Sequence, residues 1–236
     1  MKNFMGTISM LALCCFLLNP TLLLAQTESG KELVPLATEL KPIKSEVLKS
    51  TALSTYFKKL LQVDHEIKAL DSHLKTQGFA AQKAAKNFYG IRETYQQEGK
   101  KVTYTVRLQD YTKQGSKDAA AIGQVTVKAG DRSQTYSFYL FAPNGNFEAM
   151  EEFQVDKKLN IIKANSWWSC VKRYIRNKCA SACINALVSC APGASTVVGY
   201  VLCVAAKCGG CVLKSLVCCG CDCSWWCKWA VGCCDR

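Results

Sequence analysis

The sequence predicts an α+β domain followed by a small, disulfide-rich, all-α domain. Apolar residues between residues 51 and 165 recur first at three- and four-residue steps and then at two-residue steps, which indicates helix followed by strands. Of the 16 cysteines, 14 lie between Cys170 and Cys234, and none lies from Phe16 to Ser169. Such a density is typical of a disulfide scaffold. The 236 residues suffice for one large domain or two small ones, so we expect the two segments to be separate domains.

The first 25 residues have the pattern of a secretory signal peptide. Lys2 precedes an apolar run from Ile8 to Leu18, and Ala25 is a small residue before a polar stretch, so we place cleavage after Ala25. The apolar run is shorter than the roughly 20 residues of a membrane span. Leu13 is too bulky for lipoprotein processing at Cys14. We therefore expect a secreted, extracellular protein, in which disulfides persist.

Helices are predicted at the start of the cysteine-free domain, residues 51–165. Before it, residues 26–50 hold two prolines and no apolar period, which predicts an extended lead-in. Ser50 or Thr51 can cap the first helix. Its apolar face consists of residues at helical spacing, namely Leu53, Phe57, Leu60, Leu61, Ile67, Leu70 and Leu74. Gly78 interrupts this pattern, and a second helix is predicted from Ala80 to Tyr89.

About four antiparallel strands are predicted after these helices. The first has apolar residues at period two, namely Val102, Tyr104, Val106 and Leu108. Ile122, Val125 and Val127 mark the second strand, and Tyr136, Phe138 and Leu140 mark the third. Turn signals follow at residues 129–131 and 143–146. The segments Phe147–Val155 and Leu159–Lys163 supply the last strand or strands. Helix followed by strands suggests a sheet wrapped over one helix, as in cystatin-like α+β folds.

The α+β segment shows no pattern typical of catalysis. His65 and His73 have acidic neighbours, but they lack the His-Glu-x-x-His spacing of a metal site. The 21 basic and 16 acidic residues between Gln26 and Asn165 are interspersed, which favours a solvated surface over a nucleic-acid groove. We expect no enzymatic activity, no cofactor, no metal and no nucleic-acid partner.

Residues 166–236 are predicted to form three or four short helices stapled by disulfides. Cys179, Cys183 and Cys190 share one face of a helix from about Trp168 to Ser189. Ser195 or Thr196 caps a second helix from Val197 to Lys207, a third short helix or turn covers Cys211 to Cys218, and Ser224 caps a last one. A domain this small needs staples, although spacing does not reveal their connectivity. The cysteines expected in disulfides are Cys170, Cys179, Cys183, Cys190, Cys203, Cys208, Cys211, Cys218, Cys219, Cys221, Cys223, Cys227, Cys233 and Cys234.

This cysteine-rich segment has the composition of a membrane-active domain. It carries eight basic and two acidic residues, and tryptophans lie at both of its ends. Tryptophan prefers the membrane interface, and basic residues are attracted to anionic lipid. The expected membrane contacts are Trp167, Trp168, Lys172, Arg173, Arg176, Lys178, Trp225, Trp226 and Trp229. Pro192 and Gly193 interrupt the apolar stretch from Cys179 to Ala206, which favours a helical hairpin over one straight span.

Zinc and redox sites are weaker interpretations of the same cysteines. Cys208-Gly-Gly-Cys211 is one Cys-x-x-Cys pair, and a zinc site requires a second pair or histidines at suitable spacing. The segment contains no histidine. A structural zinc site and a thioredoxin-like redox site remain alternatives.

The cysteine pattern resembles that of a known family. It carries four motifs in order: Cys179-x-x-x-Cys183, Cys190-Ala-Pro-Gly, Gly-Tyr-x-x-Cys203 and Cys208-Gly-Gly-Cys211. This order is similar to the C-terminal domain of halocin-type bacteriocins, the halocin C-eight class. The resemblance covers Cys170 to Cys234. It implies a secreted precursor whose upstream region is removed and serves as a protector or immunity partner. This tail has more cysteines than is usual in that family, and its ending has no counterpart there.

These observations predict a secreted precursor of a bacteriocin-like antimicrobial peptide. A protease would cut between Lys157 and Ser169, and the released domain would act on the anionic membranes of competing bacteria. The pro-region would be its intramolecular or released partner. The alternative is an unprocessed extracellular binding or adhesion protein with a disulfide-stabilised terminal module.

Overall fold

The computed structural model describes residues 42–97, 100–164 and 167–208, together with residues 211, 212, 215 and 219. The strands are β1 (Lys44–Val47), β2 (Phe79–Ala81), β3 (Phe88–Gln97), β4 (Lys100–Lys113), β5 (Ala119–Ala129), β6 (Arg132–Ala142), β7 (Glu151–Val155) and β8 (Ile161–Lys163). The helices are α1 (Ser50–Val63), α2 (His65–Thr76), α3 (Trp167–Lys178), α4 (Ser181–Ser189) and α5 (Val197–Cys208). Short 3-10 turns cover Ala85–Asn87 and Pro143–Gly145.

The described strands form one antiparallel sheet. Its order is β1-β3-β4-β5-β6-β7-β8, and β2 pairs with β4 beyond the start of β3. Consecutive long strands pair with their neighbours along the chain, because connections of five residues (β4 to β5) and two residues (β5 to β6) join them. Gly130, with φ +57°, occupies the turn predicted between β5 and β6. The antiparallel α+β fold is therefore confirmed, but the sheet has eight strands in the described residues rather than about four.

One face of the sheet is covered by α1 and α2. Most of the apolar residues predicted for a helix face are buried here, and Leu60 and Leu61 are partly buried. Leu53, Phe57 and Leu70 belong to one hydrophobic core with aromatic residues of the sheet. Gly90 in β3 permits this approach, since a Cβ at that position would lie 2.7 Å from Leu53 Cδ2. The first face is thus closed by residues that precede the long strands.

The opposite face of the sheet is covered by α3, α4 and α5. Alternating residues of β4, β5 and β6 share one hydrophobic core with the apolar sides of these helices. Val106, Val125 and Phe138 come from the sheet, whereas Val171 and Val201 come from the helices. The structure thus has three layers, in which the sheet lies between two sets of helices.

Several predicted boundaries need correction. The first predicted helix is divided at Asp64, whose carboxylate accepts a hydrogen bond from Ile67 N–H (3.0 Å) and begins α2. The helix predicted from Ala80 to Tyr89 is wrong, because these residues enter β2, a 3-10 turn and β3, where pairing with β4 prevails. The helix predicted from Trp168 to Ser189 is divided into α3 and α4.

Other local predictions are confirmed or refined. Thr196 caps α5, since its hydroxyl oxygen accepts a hydrogen bond from Gly199 N–H (3.0 Å). The turn predicted at residues 143–146 is present, with Asn144 and Gly145 at positive φ. Within the predicted lead-in, Lys44–Val47 forms the edge strand β1. The signal peptide, and the helices predicted at Cys211–Cys218 and after Ser224, lie wholly or largely outside the described residues.

Candidate functional site: the sheet–helix interface

The surface between the sheet and α3–α5 is where the predicted pro-region meets the predicted peptide. We call it the sheet–helix interface; it comprises the hydrophobic core and the polar contacts that join these two parts. Tyr200 of α5 lies at its centre, stacked on Phe147 with ring centroids 5.2 Å apart. The indole of Trp168 meets the same tyrosine edge-on at 6.3 Å. Aromatic pairs of this kind add to the stabilisation from buried area.

Two buried carboxylates of the sheet hold the first turns of two helices. Asp110 of β4 accepts a hydrogen bond from Val198 N–H of α5 through Oδ1 (2.9 Å). Glu152 of β7 accepts one from Trp168 N–H of α3 through Oε2 (2.8 Å). Helix N-termini carry unsatisfied N–H groups and a partial positive charge, so carboxylates are favourable partners there. The two contacts fix the register of α3 and α5 on the sheet.

The two carboxylates have different surroundings. Glu152 also accepts hydrogen bonds from Tyr136 Oη (2.5 Å) and Gln154 Nε2 (2.7 Å), so several donors stabilise it. Asp110 is fully buried, and its Oδ2 has no hydrogen bond among the described residues. Burial raises the pKa of Asp110 to about 7, against the lowering effects of Val198 N–H and the nearby Thr196 hydroxyl. Asp110 is therefore a group at the interface that titrates near neutral pH.

The sequence contained a signal for Asp110. Val102, Tyr104, Val106 and Leu108 alternate onto the buried face of β4, and residue 110 continues that period with a carboxylate. A charged residue in register with an apolar face requires a partner, which the first turn of α5 provides. No comparable signal marked Glu152, because β7 is short and mixed in polarity.

The described disulfides join residues of the helical segment to one another. The described pairs are Cys170–Cys219, Cys179–Cys211 and Cys190–Cys203. The α+β segment has no cysteine, so no disulfide joins it to the helices. The expected disulfides at Cys183 and Cys208 need correction, because both are buried free thiols. The Cys183 thiol donates a hydrogen bond to the Cys208 carbonyl oxygen at 3.9 Å. Burial raises the pKa of the Cys208 thiol to about 12, and the interaction of this thiol with the Cys183 side chain also raises it.

The predicted membrane-contacting residues are divided by the fold. Arg173, Arg176 and Lys178 are exposed on α3, and Lys172 donates a hydrogen bond to the Glu148 carbonyl oxygen (3.1 Å). Trp168 is only 5% exposed and belongs to the interface core, so in the intact chain it is covered by the sheet. The other predicted tryptophans lie outside the described part of the chain, namely Trp225, Trp226, Trp229 and the side chain of Trp167. Six of the predicted disulfide cysteines also lie outside it, namely Cys218, Cys221, Cys223, Cys227, Cys233 and Cys234.

In the part of the chain that the structure describes, no three His, Cys, Asp or Glu residues are grouped to hold a metal ion. His73 packs on Tyr139, with ring centroids 5.6 Å apart. Within the same residues, no helix has the length and apolarity needed to cross a membrane. Comparison of the chain with protein-family models, curated proteins and solved structures finds no match.

Proposed function

We propose that this protein is the secreted precursor of a bacteriocin-like antimicrobial peptide, with residues 166–236 as the active domain. One observation carries the proposal: the helical segment is cross-linked only to itself, yet its apolar side is buried against the preceding sheet. A single cut before Cys170 would remove the only covalent connection between them. The disulfides would then maintain the released helices without the sheet.

The sheet would keep the helical domain inactive before cleavage. Trp168, Val171 and Tyr200 are buried at the sheet–helix interface, so lipid has no access to them in the precursor. Removal of the sheet would expose these side chains together with the cationic surface of α3. An apolar and cationic surface of this kind binds anionic membranes.

The segment proposed for cleavage begins in an accessible turn. Lys157 and Lys158 are exposed between β7 and β8, and Leu159 next to them has φ +63°. Exposed turns are preferred sites of proteolysis. β8 is a short edge strand whose backbone pairs only with β7 among the described strands. A protease would therefore meet an exposed turn first, and then a short strand that is paired on one side.

Limited proteolysis of the full chain tests this proposal. The precursor, purified without its predicted signal peptide and without reductant, would be assayed for growth inhibition of bacteria before and after cleavage. We expect activity to appear only with cleavage between Lys157 and Ser169, and to vanish when the cleaved product is reduced. Cleaved, oxidised product that inhibits no bacterium in a broad panel, and releases no dye from anionic vesicles, would contradict the proposal.

A second function, an unprocessed extracellular binding or adhesion protein, is favoured by one observation. The helices and the sheet share a continuous core, and the described residues belong to one compact unit. A binding protein that functions without cleavage would have such a shared core between its helices and its sheet. Processing separates the two proposals, because a binding protein would keep its full length after signal cleavage.

A further inference from the structure

Both α4 and α5 expose apolar side chains. Ile184 and Val188 lie one turn apart on α4 and are 37% and 58% exposed, and Leu202 of α5 is 39% exposed. We call these three residues the outer hairpin face. Other apolar residues of the same helices, among them Leu187 and Val201, are buried. The Cys190–Cys203 disulfide joins the two helices and holds the face together.

The outer hairpin face is uncharged and has cations at its edge. No charged residue occurs between Lys178 and Lys207, and no acidic residue occurs from Trp167 to Cys208. The Lys207 ammonium donates a hydrogen bond to Ser189 Oγ (2.8 Å), which places its charge beside Val188. Only two residues separate Lys178, at the end of α3, from the start of α4. Apolar helices that have cations near their ends and no acidic residue of their own complement an anionic lipid surface.

The lengths of the helices decide how they would meet lipid. α4 has 9 residues and α5 has 12, whereas a span requires about 20. Helices too short to span a bilayer can bind it only at its interface. We propose that the outer hairpin face docks the intact precursor on anionic lipid bilayers, before any cleavage and without Trp168. This inference rests on the proposed function in taking a membrane as the target.

Binding of the uncleaved precursor to vesicles tests the inference. The vesicles would contain phosphatidylcholine with about a quarter phosphatidylglycerol, and bound protein would be measured by sedimentation. The test variant is Ile184→Ser/Val188→Ser/Leu202→Ser. The matched control is Val47→Ser/Val63→Ser/Ile162→Ser, because these residues are 71%, 60% and 45% exposed on other elements. Circular dichroism and mass without reduction would show that both variants fold and keep their disulfides.

We expect the test variant to bind about tenfold more weakly, which corresponds to about 1.4 kcal/mol of lost apolar burial. The control should bind as the unmodified precursor does. Unchanged binding of the test variant, or equal weakening of both variants, would overturn the inference. A third result would also overturn the inference: the precursor is a dimer in solution, the test variant is a monomer, and both bind vesicles equally. A second copy of the chain would then occupy the face.

The assay separates this inference from the proposed function. It uses only uncleaved protein and measures no growth inhibition. If cleavage releases an inhibitory peptide but the precursor does not bind vesicles, the proposed function stands and the docking face is refuted. If the precursor binds through this face but no peptide is ever released, the docking face stands and the precursor function is refuted.

Discussion

The substitution Asp110→Asn tests the polar contact that joins β4 to α5. Asparagine has the shape of a protonated aspartic acid, and its Oδ1 can still accept the hydrogen bond from Val198 N–H, which is 2.9 Å long in the native protein. It cannot ionise. The variant therefore isolates the cost of a negative charge at a fully buried position of the sheet–helix interface.

The magnitude follows from the pKa of Asp110. An unfolded aspartate titrates near pH 3.9, whereas burial raises the pKa of Asp110 to about 7 in the folded protein. The folded state therefore holds this proton more tightly, so its stabilisation is fully present below about pH 4 and is lost as pH rises to about 7. Three pKa units at about 1.4 kcal/mol each correspond to roughly 4 kcal/mol.

Denaturant unfolding between pH 4 and pH 8, without reductant, is the assay. We expect the stability of Asp110→Asn, relative to the native chain, to increase by roughly 4 kcal/mol from pH 4 to pH 8. Other titrating groups are common to both proteins and cancel in the difference. Asp110→Ala is the control, because it leaves Val198 N–H without an acceptor and should cost about 1–3 kcal/mol at pH 4. The reasoning would be refuted if the difference in the free energy of unfolding between the native protein and Asp110→Asn stayed constant from pH 4 to pH 8.

Three further results are expected. Gly123→Ala should destabilise the fold by about 1–3 kcal/mol in thermal unfolding, because a Cβ there would lie 2.4 Å from Phe138 Cζ; an unchanged melting temperature would contradict this packing. Cys183 and Cys208 should react with a thiol reagent only after denaturation, since both thiols are buried, and complete absence of thiols in the denatured chain would show that both are in disulfides. The four basic residues of α3 are Lys172, Arg173, Arg176 and Lys178. Their replacement by glutamine should weaken binding of the released domain to anionic vesicles by about tenfold or more, and unchanged binding would exclude an electrostatic role.

The elements predicted well are those in which local pattern and tertiary structure agree. The alternation from Val102 to Leu108 predicted β4 because one side of that strand is buried along its length. The break at Asp64 was hidden, since apolar residues of α1 and α2 continue the same helical spacing across it. The segment from Ala80 to Tyr89 lacked a β alternation of its own, and its strands are set by hydrogen bonds to β4.

The arrangement of the candidate site depended on contacts distant in sequence. Asp110 and Val198 are 88 residues apart, and no local pattern pairs them. Tryptophans near the start of the cysteine-rich segment suggested lipid contact, but Trp168 is buried under the sheet in the intact chain. Composition identified the helical segment as cationic and apolar, yet it did not reveal which apolar side the sheet covers. That distinction determines which surface is available before cleavage.

The central claim is that the helical segment is released from the sheet, and the mass of the secreted product tests it most directly. Culture supernatant from the producing cells would be measured by intact mass spectrometry, without and with reduction. We expect a fragment that begins near Ser166 and has a mass of about 8 kDa, because residues 166–236 are 71 of the 236 residues of the 26.0 kDa chain. Its mass should rise on reduction by about two units for each disulfide. A product that begins near Gln26 and extends to Arg236 would contradict the account and favour an intact binding protein.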